Sequence, residues 1–140
     1  MYRFVNGNDY VEIDIGYFDD ESEKGKAVDL EVALAFRING FCGKGASYML
    51  ARQMQAFAAE IVGLEKTRRG GARLVHAAGE LSFEIRSLDR LGHMGILCRV
   101  TEYGHLGPDY LPFEASAFME ISPEQLAAFA RQWWVTVYGG

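Results

Sequence analysis

The residues best suited to chemistry are carboxylates at alternate positions. Glu12 and Asp14 are two positions apart, as are Asp29 and Glu31. In an extended chain side chains alternate between faces, so the members of each pair share a face. Two such carboxylates divide acid and base roles when an apolar pocket raises the pKa of one above the other. The neighbouring residues supply no obvious pocket, and the pairs read as an acidic sheet face. Asp19, Asp20, Glu21 and Glu23 extend it through the polar stretch that follows. Such a patch steers a basic partner; the plainer reading is the solvated, charge-protected face of an exposed sheet.

Other chemistry is sparse. His76, His93 and His105 show no paired ligand spacing, and although His93, Cys98 and His105 can approach one another near a sheet edge, Cys98 falls on the apolar side of its strand, so no metal or other cofactor is expected. There is no Gly-x-Ser-x-Gly, and Cys42 has no recognisable activating partner. Gly43-Lys44-Gly45 lacks the leading glycine and the following Ser or Thr of a phosphate loop and reads as a strand bend. No catalytic residue is assigned. Trp133 and Trp134 are adjacent, so on a helix they point about 100° apart and cannot both centre one buried stripe. Trp134 is taken as the ring offered to a partner, an environment in which tryptophan is enriched.

Bulk properties narrow the classes. The net charge of −5 disfavours a nucleic-acid surface, which relies on clustered Lys and Arg. The basic cluster at Lys66, Arg68 and Arg69 reads as cations complementing a helix C-terminus. No stretch approaches the roughly 18 apolar residues of a membrane span, and the first residues show no apolar run with a cleavage site, so a cytoplasmic protein with free thiols at Cys42 and Cys98 is expected.

The elements that must position the acidic face follow from periodicity. Val11, Ile13, Ile15 and Tyr17 alternate with polar residues, as do Val28, Leu30, Val32, Leu34, Phe36 and Ile38, which predicts two strands with one buried face each. Asn39-Gly40 predicts a hairpin turn into a third, shorter strand over 41–48. Leu50, Met54, Phe57, Ile61 and Leu64 form a helical stripe over 50–64. Strands are predicted at 72–76, 80–86, 94–101 and 113–121, with a loop between the last two. Ser122-Pro123-Glu124-Gln125 predicts a capped helix over 123–137, with Gln125 in the capping-box position. The order fits one domain over 1–140, of α+β class: an antiparallel sheet of about six to seven strands with one inner and one C-terminal helix.

This layout resembles the WapI-like family of bacterial immunity proteins. The resemblance rests on the Asp29-Leu30-Glu31-Val32 strand after a polar loop, Gly40-Phe41-Cys42-Gly43 opening the next strand, the helix over 50–64, Gly79-Glu80-Leu81, and the closing helix from Ser122 to Trp134. It implies a stoichiometric inhibitor covering a toxin's active surface, and no catalytic residue. The expectation is therefore a non-enzymatic binding protein with a protein partner, such as a basic toxin domain. It contacts that partner through Glu12, Asp14, Asp29, Glu31, Asp19, Asp20 and Trp134. Two alternatives stay open: a small-ligand binder or enzyme using a cavity between sheet and helices, with Tyr48, Tyr103, His105 or Tyr110 as polar tips, and a homodimer formed by an exposed sheet edge.

Overall fold

The computed structural model describes residues 1–17, 29–76 and 78–139. Its elements run β1 (Tyr2–Asn6), β2 (Asp9–Tyr17), β3 (Leu30–Ile38), β4 (Phe41–Met49), α1 (Ala51–Thr67), β5 (Gly71–Val75), β6 (Leu81–Ser87), β7 (Met94–Leu106), β8 (Asp109–Ile121), α2 (Pro123–Phe129) and α3 (Trp133–Gly139). The strands form two four-stranded antiparallel sheets, ordered β1-β2-β3-β4 and β5-β6-β7-β8.

The α+β class and antiparallel pairing agree with the alternation, but one sheet of six or seven strands is corrected to two sheets of four. The strand missed at the N-terminus, β1, buries only Phe4 fully, too little for a visible period-2 run. The single C-terminal helix is corrected to two short ones. Residues 130–132 turn tightly, with Arg131 N–H bonded to the Ala128 carbonyl and Gln132 N–H to that of Phe129. In an unbroken helix Leu126, Phe129 and Trp133 would share a stripe; after the break it is Trp134 that faces inward.

The core joins both sheets and the helices through an aromatic cluster. Phe57 of α1 stacks on Trp134 with ring centres 5.3 Å apart, and Phe129 packs 5.0 Å from Phe4 and 5.9 Å from Phe83. Fully burying each such side chain stabilises the fold by about 1.5–3 kcal/mol. Helix α1 begins where Gln53 accepts the Leu50 N–H at 2.9 Å while donating to the Val75 carbonyl of β5 at 3.2 Å. It ends at Arg68, in the left-handed conformation, whose N–H bonds the Leu64 carbonyl at 2.8 Å.

Two sites, a turn and a seam, show why glycine is needed. Asn39 and Gly40 take φ of 52° and 83°, the paired positive values of the tight turn that joins β3 to β4. Gly43 and Gly45 let β4 approach β7: a Cβ on Gly43 would sit 2.3 Å from the Phe36 ring and 3.0 Å from Val100, and one on Gly45 3.2 Å from Val100. The Gly43-Lys44-Gly45 segment therefore forms the seam between the sheets. Among the described residues, no helix is long and apolar enough to cross a membrane.

Candidate functional site

The outer face of the first sheet carries the residues the alternation singled out. Registers Glu12↔Ala35, Asp14↔Ala33, Ala33↔Ala46 and Ala35↔Lys44 place Glu12 and Asp14 beside a strip of small residues, Ala33, Ala35 and Ala46, with Lys44 at its far side on β4. That strip is the floor of a trough of about 610 Å³, lined by Glu12, Asp14, Ala33, Ala35, Lys44, Gly45, Ala46 and Glu102. Glu102 comes from β7, so the trough draws carboxylates from both sheets. Small side chains on the floor leave depth for a long side chain to enter, which larger residues would fill.

The carboxylates differ in their engagements. Glu12 is the more enclosed and pairs with the Arg3 guanidinium, which also lies 4.6 Å from the centre of the Tyr10 ring. Asp14 lies 3.4 Å from the Met1 amino nitrogen, yet its side chain is 62% exposed. Glu31 shares the face but stands two residues further along β3, across from Gly16 and Tyr48. Asp29 precedes the first paired residue of β3, Leu30, so it is exposed and outside the strand in which it was placed. Asp19 and Asp20 lie outside the described residues.

Trp134 requires correction as a partner-facing ring. It is 2% exposed, stacked on Phe57 and edge-on to Phe129, and belongs to the core. Its neighbour Trp133 is 38% exposed and packs against Tyr17, ring centres 5.0 Å apart.

The ligand-cavity alternative loses its proposed lining. The space between sheets and helices is filled by the aromatic cluster, while Tyr48, Tyr103, His105 and Tyr110 are all exposed. A second recess of about 740 Å³ lies between the second sheet and the β3–β4 turn of the first, with Asp9, Phe41, Arg73, Glu84, Arg99 and Glu114 in its lining. Its charges are interleaved. Arg99 lies 3.8 Å from Glu114, Arg86 lies 4.0 Å from Glu84, and Arg73 is the cross-strand partner of Glu84. This is the self-neutralised pattern of a solvated sheet face.

Among the described residues, no group of three or more His, Cys, Asp and Glu is arranged to hold a metal ion. His93 instead bonds Asp89 at 2.5 Å within the β6–β7 turn, where Asp89 also accepts the Leu91 N–H at 2.8 Å. Cys98 is buried, its thiol pushed up to about 12 by desolvation, while Cys42 is exposed.

Glu102 and the strands around it were missed because residues 102–112, with Gly104, Gly107 and Pro108, read as a loop. They form a hairpin in which Gly107, at φ 61°, precedes Pro108 as the two-residue turn. A glycine first in such a turn, between runs rich in aromatic residues, was the available signal.

No family model, curated protein or solved structure matches this chain.

Proposed function

We propose that this protein is a non-catalytic binding domain whose partner presents basic side chains to the trough on the first sheet. The observation that carries the reading is the convergence of Glu12, Asp14 and Glu102, from two sheets, around the floor of Ala33, Ala35, Gly45 and Ala46; Lys44 and Met1 line the same trough, so a partner's cation competes there with Lys44, with the Met1 amine on Asp14 and with Arg3 on Glu12. A lysine or arginine of the partner reaches that floor with its alkyl stem against the alanines and its charge among the carboxylates. Acid–base catalysis uses carboxylates set in enclosed apolar pockets, whereas this trough is open and Asp14 faces water. The resemblance to WapI-like immunity proteins supports the more specific form: a stoichiometric inhibitor that covers the active surface of a basic toxin.

The test is capture from the source cells with the tagged protein at low and moderate salt, repeated with the double variant Asp14→Lys/Glu102→Lys. The expected result is a stoichiometric basic protein held at low salt, released as salt screens the interaction, and not held by the variant. Equal retention by a folded variant would show that the trough is not the binding surface.

A further inference from the structure

Strands β7 and β8 outrun the rest of their sheet. Pairing with β6 ends at Leu81↔Val100, whereas β7 and β8 remain paired through Glu102↔Phe113, Gly104↔Leu111 and Leu106↔Asp109. The result is a two-stranded arm, and a ribbon of two strands has no core of its own in which to bury large side chains.

The register sorts the arm's residues into two faces. One carries Leu106, Leu111 and Phe113, with the Phe113 ring so close over Gly104 that a Cβ there would lie 2.8 Å from it. The other carries Tyr103, His105 and Tyr110, with ring centres 5.3 Å apart for the two tyrosines and 4.8 Å for His105 and Tyr110. Phe113 is 72% exposed, Leu106 69% and Tyr110 62%. Leu106, Leu111 and Phe113 together make an exposed apolar face, the kind of feature that marks an interaction surface.

Charge selects the occupant. The apolar face carries Glu102 and Asp109 and neither Lys nor Arg from residues 101–114; Glu114 lies on the other face, 3.8 Å from Arg99, and Lys44 is the cation that lines the trough with Glu102. Two copies laid arm on arm would oppose carboxylate to carboxylate, and an anionic bilayer would be repelled in the same way. Pro112 disfavours strand addition along the arm's β8 edge, because it has no N–H to offer an added strand at that position. Glu102 stands opposite Phe113 on the apolar face and also lines the trough, so the two surfaces are continuous.

We infer that the arm is a docking surface for a basic protein partner, which packs apolar side chains on Leu106, Leu111 and Phe113 and brings cations to Glu102 and Asp109. The inference rests on the trough reading and extends the contact to a part of the chain that reading does not require.

The test is an NMR titration of the full chain with two synthetic peptides of equal length, one alternating Lys and Leu, the other Glu and Leu. The expected result is that the Lys–Leu peptide shifts amides of residues 102–113 together with those of the trough, and the Glu–Leu peptide shifts neither. The variant Leu111→Ser/Phe113→Ser, with the dispersed spectrum of a folded sheet, weakens Lys–Leu binding by roughly tenfold, the scale of an interface hot spot. Shifts confined to the trough would remove the arm and leave the trough reading in place; no shifts with the Lys–Leu peptide would remove both. An equal response to the two peptides overturns the charge selection. So does a concentration-dependent dimer, or binding to anionic vesicles, that this variant abolishes.

Discussion

The side-chain amide of Gln125 bonds both main-chain polar groups of Val5: its Oε1 accepts the Val5 N–H at 2.7 Å and its Nε2 donates to the Val5 carbonyl at 3.1 Å. β1 is an edge strand, and Gln125 satisfies its open side as a neighbouring strand would. The Tyr2 hydroxyl donates to the Gln125 carbonyl at 3.0 Å and Asn6 Nδ2 to the Glu120 carbonyl at 3.1 Å, tying the first sheet to the end of the second. Gln125→Ala is expected to lower stability by about 1 kcal/mol, the net worth of such exposed hydrogen bonds. Urea unfolding checks it, and an unchanged midpoint would mean that water replaces the amide without cost.

Gln125 also marks where local sequence stops being informative. Ser122 does cap α2, accepting the Gln125 N–H at 3.3 Å, as the Ser-Pro-Glu-Gln pattern predicts. The Gln125 side chain, expected to complete that capping box, instead serves a strand 120 residues away. The acidic face divides in the same manner. Glu12 and Asp14 were legible because period-2 alternation is a local property; Glu102 was not, because only the packing of one sheet on the other brings it to the trough. Trp134 was misassigned because a three-residue break between α2 and α3 rotates the stripe, and no proline or glycine announces that break.

Gly43→Ala is expected to destabilise the protein by about 1–3 kcal/mol, since the added methyl meets the buried Phe36 ring and Val100. Gly16→Ala is the control. Nothing lies within 4 Å of its added Cβ, and a compatible Gly→Ala change is neutral or stabilising by a few tenths to about 1 kcal/mol. Thermal unfolding should place Gly43→Ala well below the parent and Gly16→Ala at or above it, and equal values would refute the close sheet contact at Gly43.

The adjacent tryptophans should separate cleanly. Trp134→Ala removes a ring stacked within the core and is expected to cost about 3–5 kcal/mol. Trp133→Ala removes a partly exposed ring and is expected to cost about 1 kcal/mol. Fluorescence quenching by iodide checks the assignment independently: the Trp134→Phe variant, which retains Trp133, should be quenched far more than Trp133→Phe.

The β6–β7 turn has a pH signature. The hydrogen bond that the His93 ring donates to Asp89 raises the His93 pKa above its ordinary value, and the same bond lowers that of Asp89. His93 then contributes stability that is fully present below its unfolded pKa and is lost as pH rises through its folded one. Asp89 contributes above its unfolded pKa, and its share is lost as pH falls through its folded one. The turn is thus held best between the carboxylate and imidazole ranges. Proton NMR titration should show His93 titrating high in the parent and lower in Asp89→Asn; coincident curves would mean the bond does not persist in solution.

The sheet order carries a consequence for the route by which the chain reaches this structure. Within each sheet every strand pairs with its neighbour in sequence, and apart from the twelve-residue link between β2 and β3 each meander closes only short loops, which favours its early formation. The Val5–Gln125 tie and the contact of Gly43 with Val100 span far longer separations and belong to a later step in which two preformed halves meet. Pulsed hydrogen exchange would then protect amides within both sheets before the Val5 amide, making the rate-limiting event an encounter between halves rather than the growth of either one.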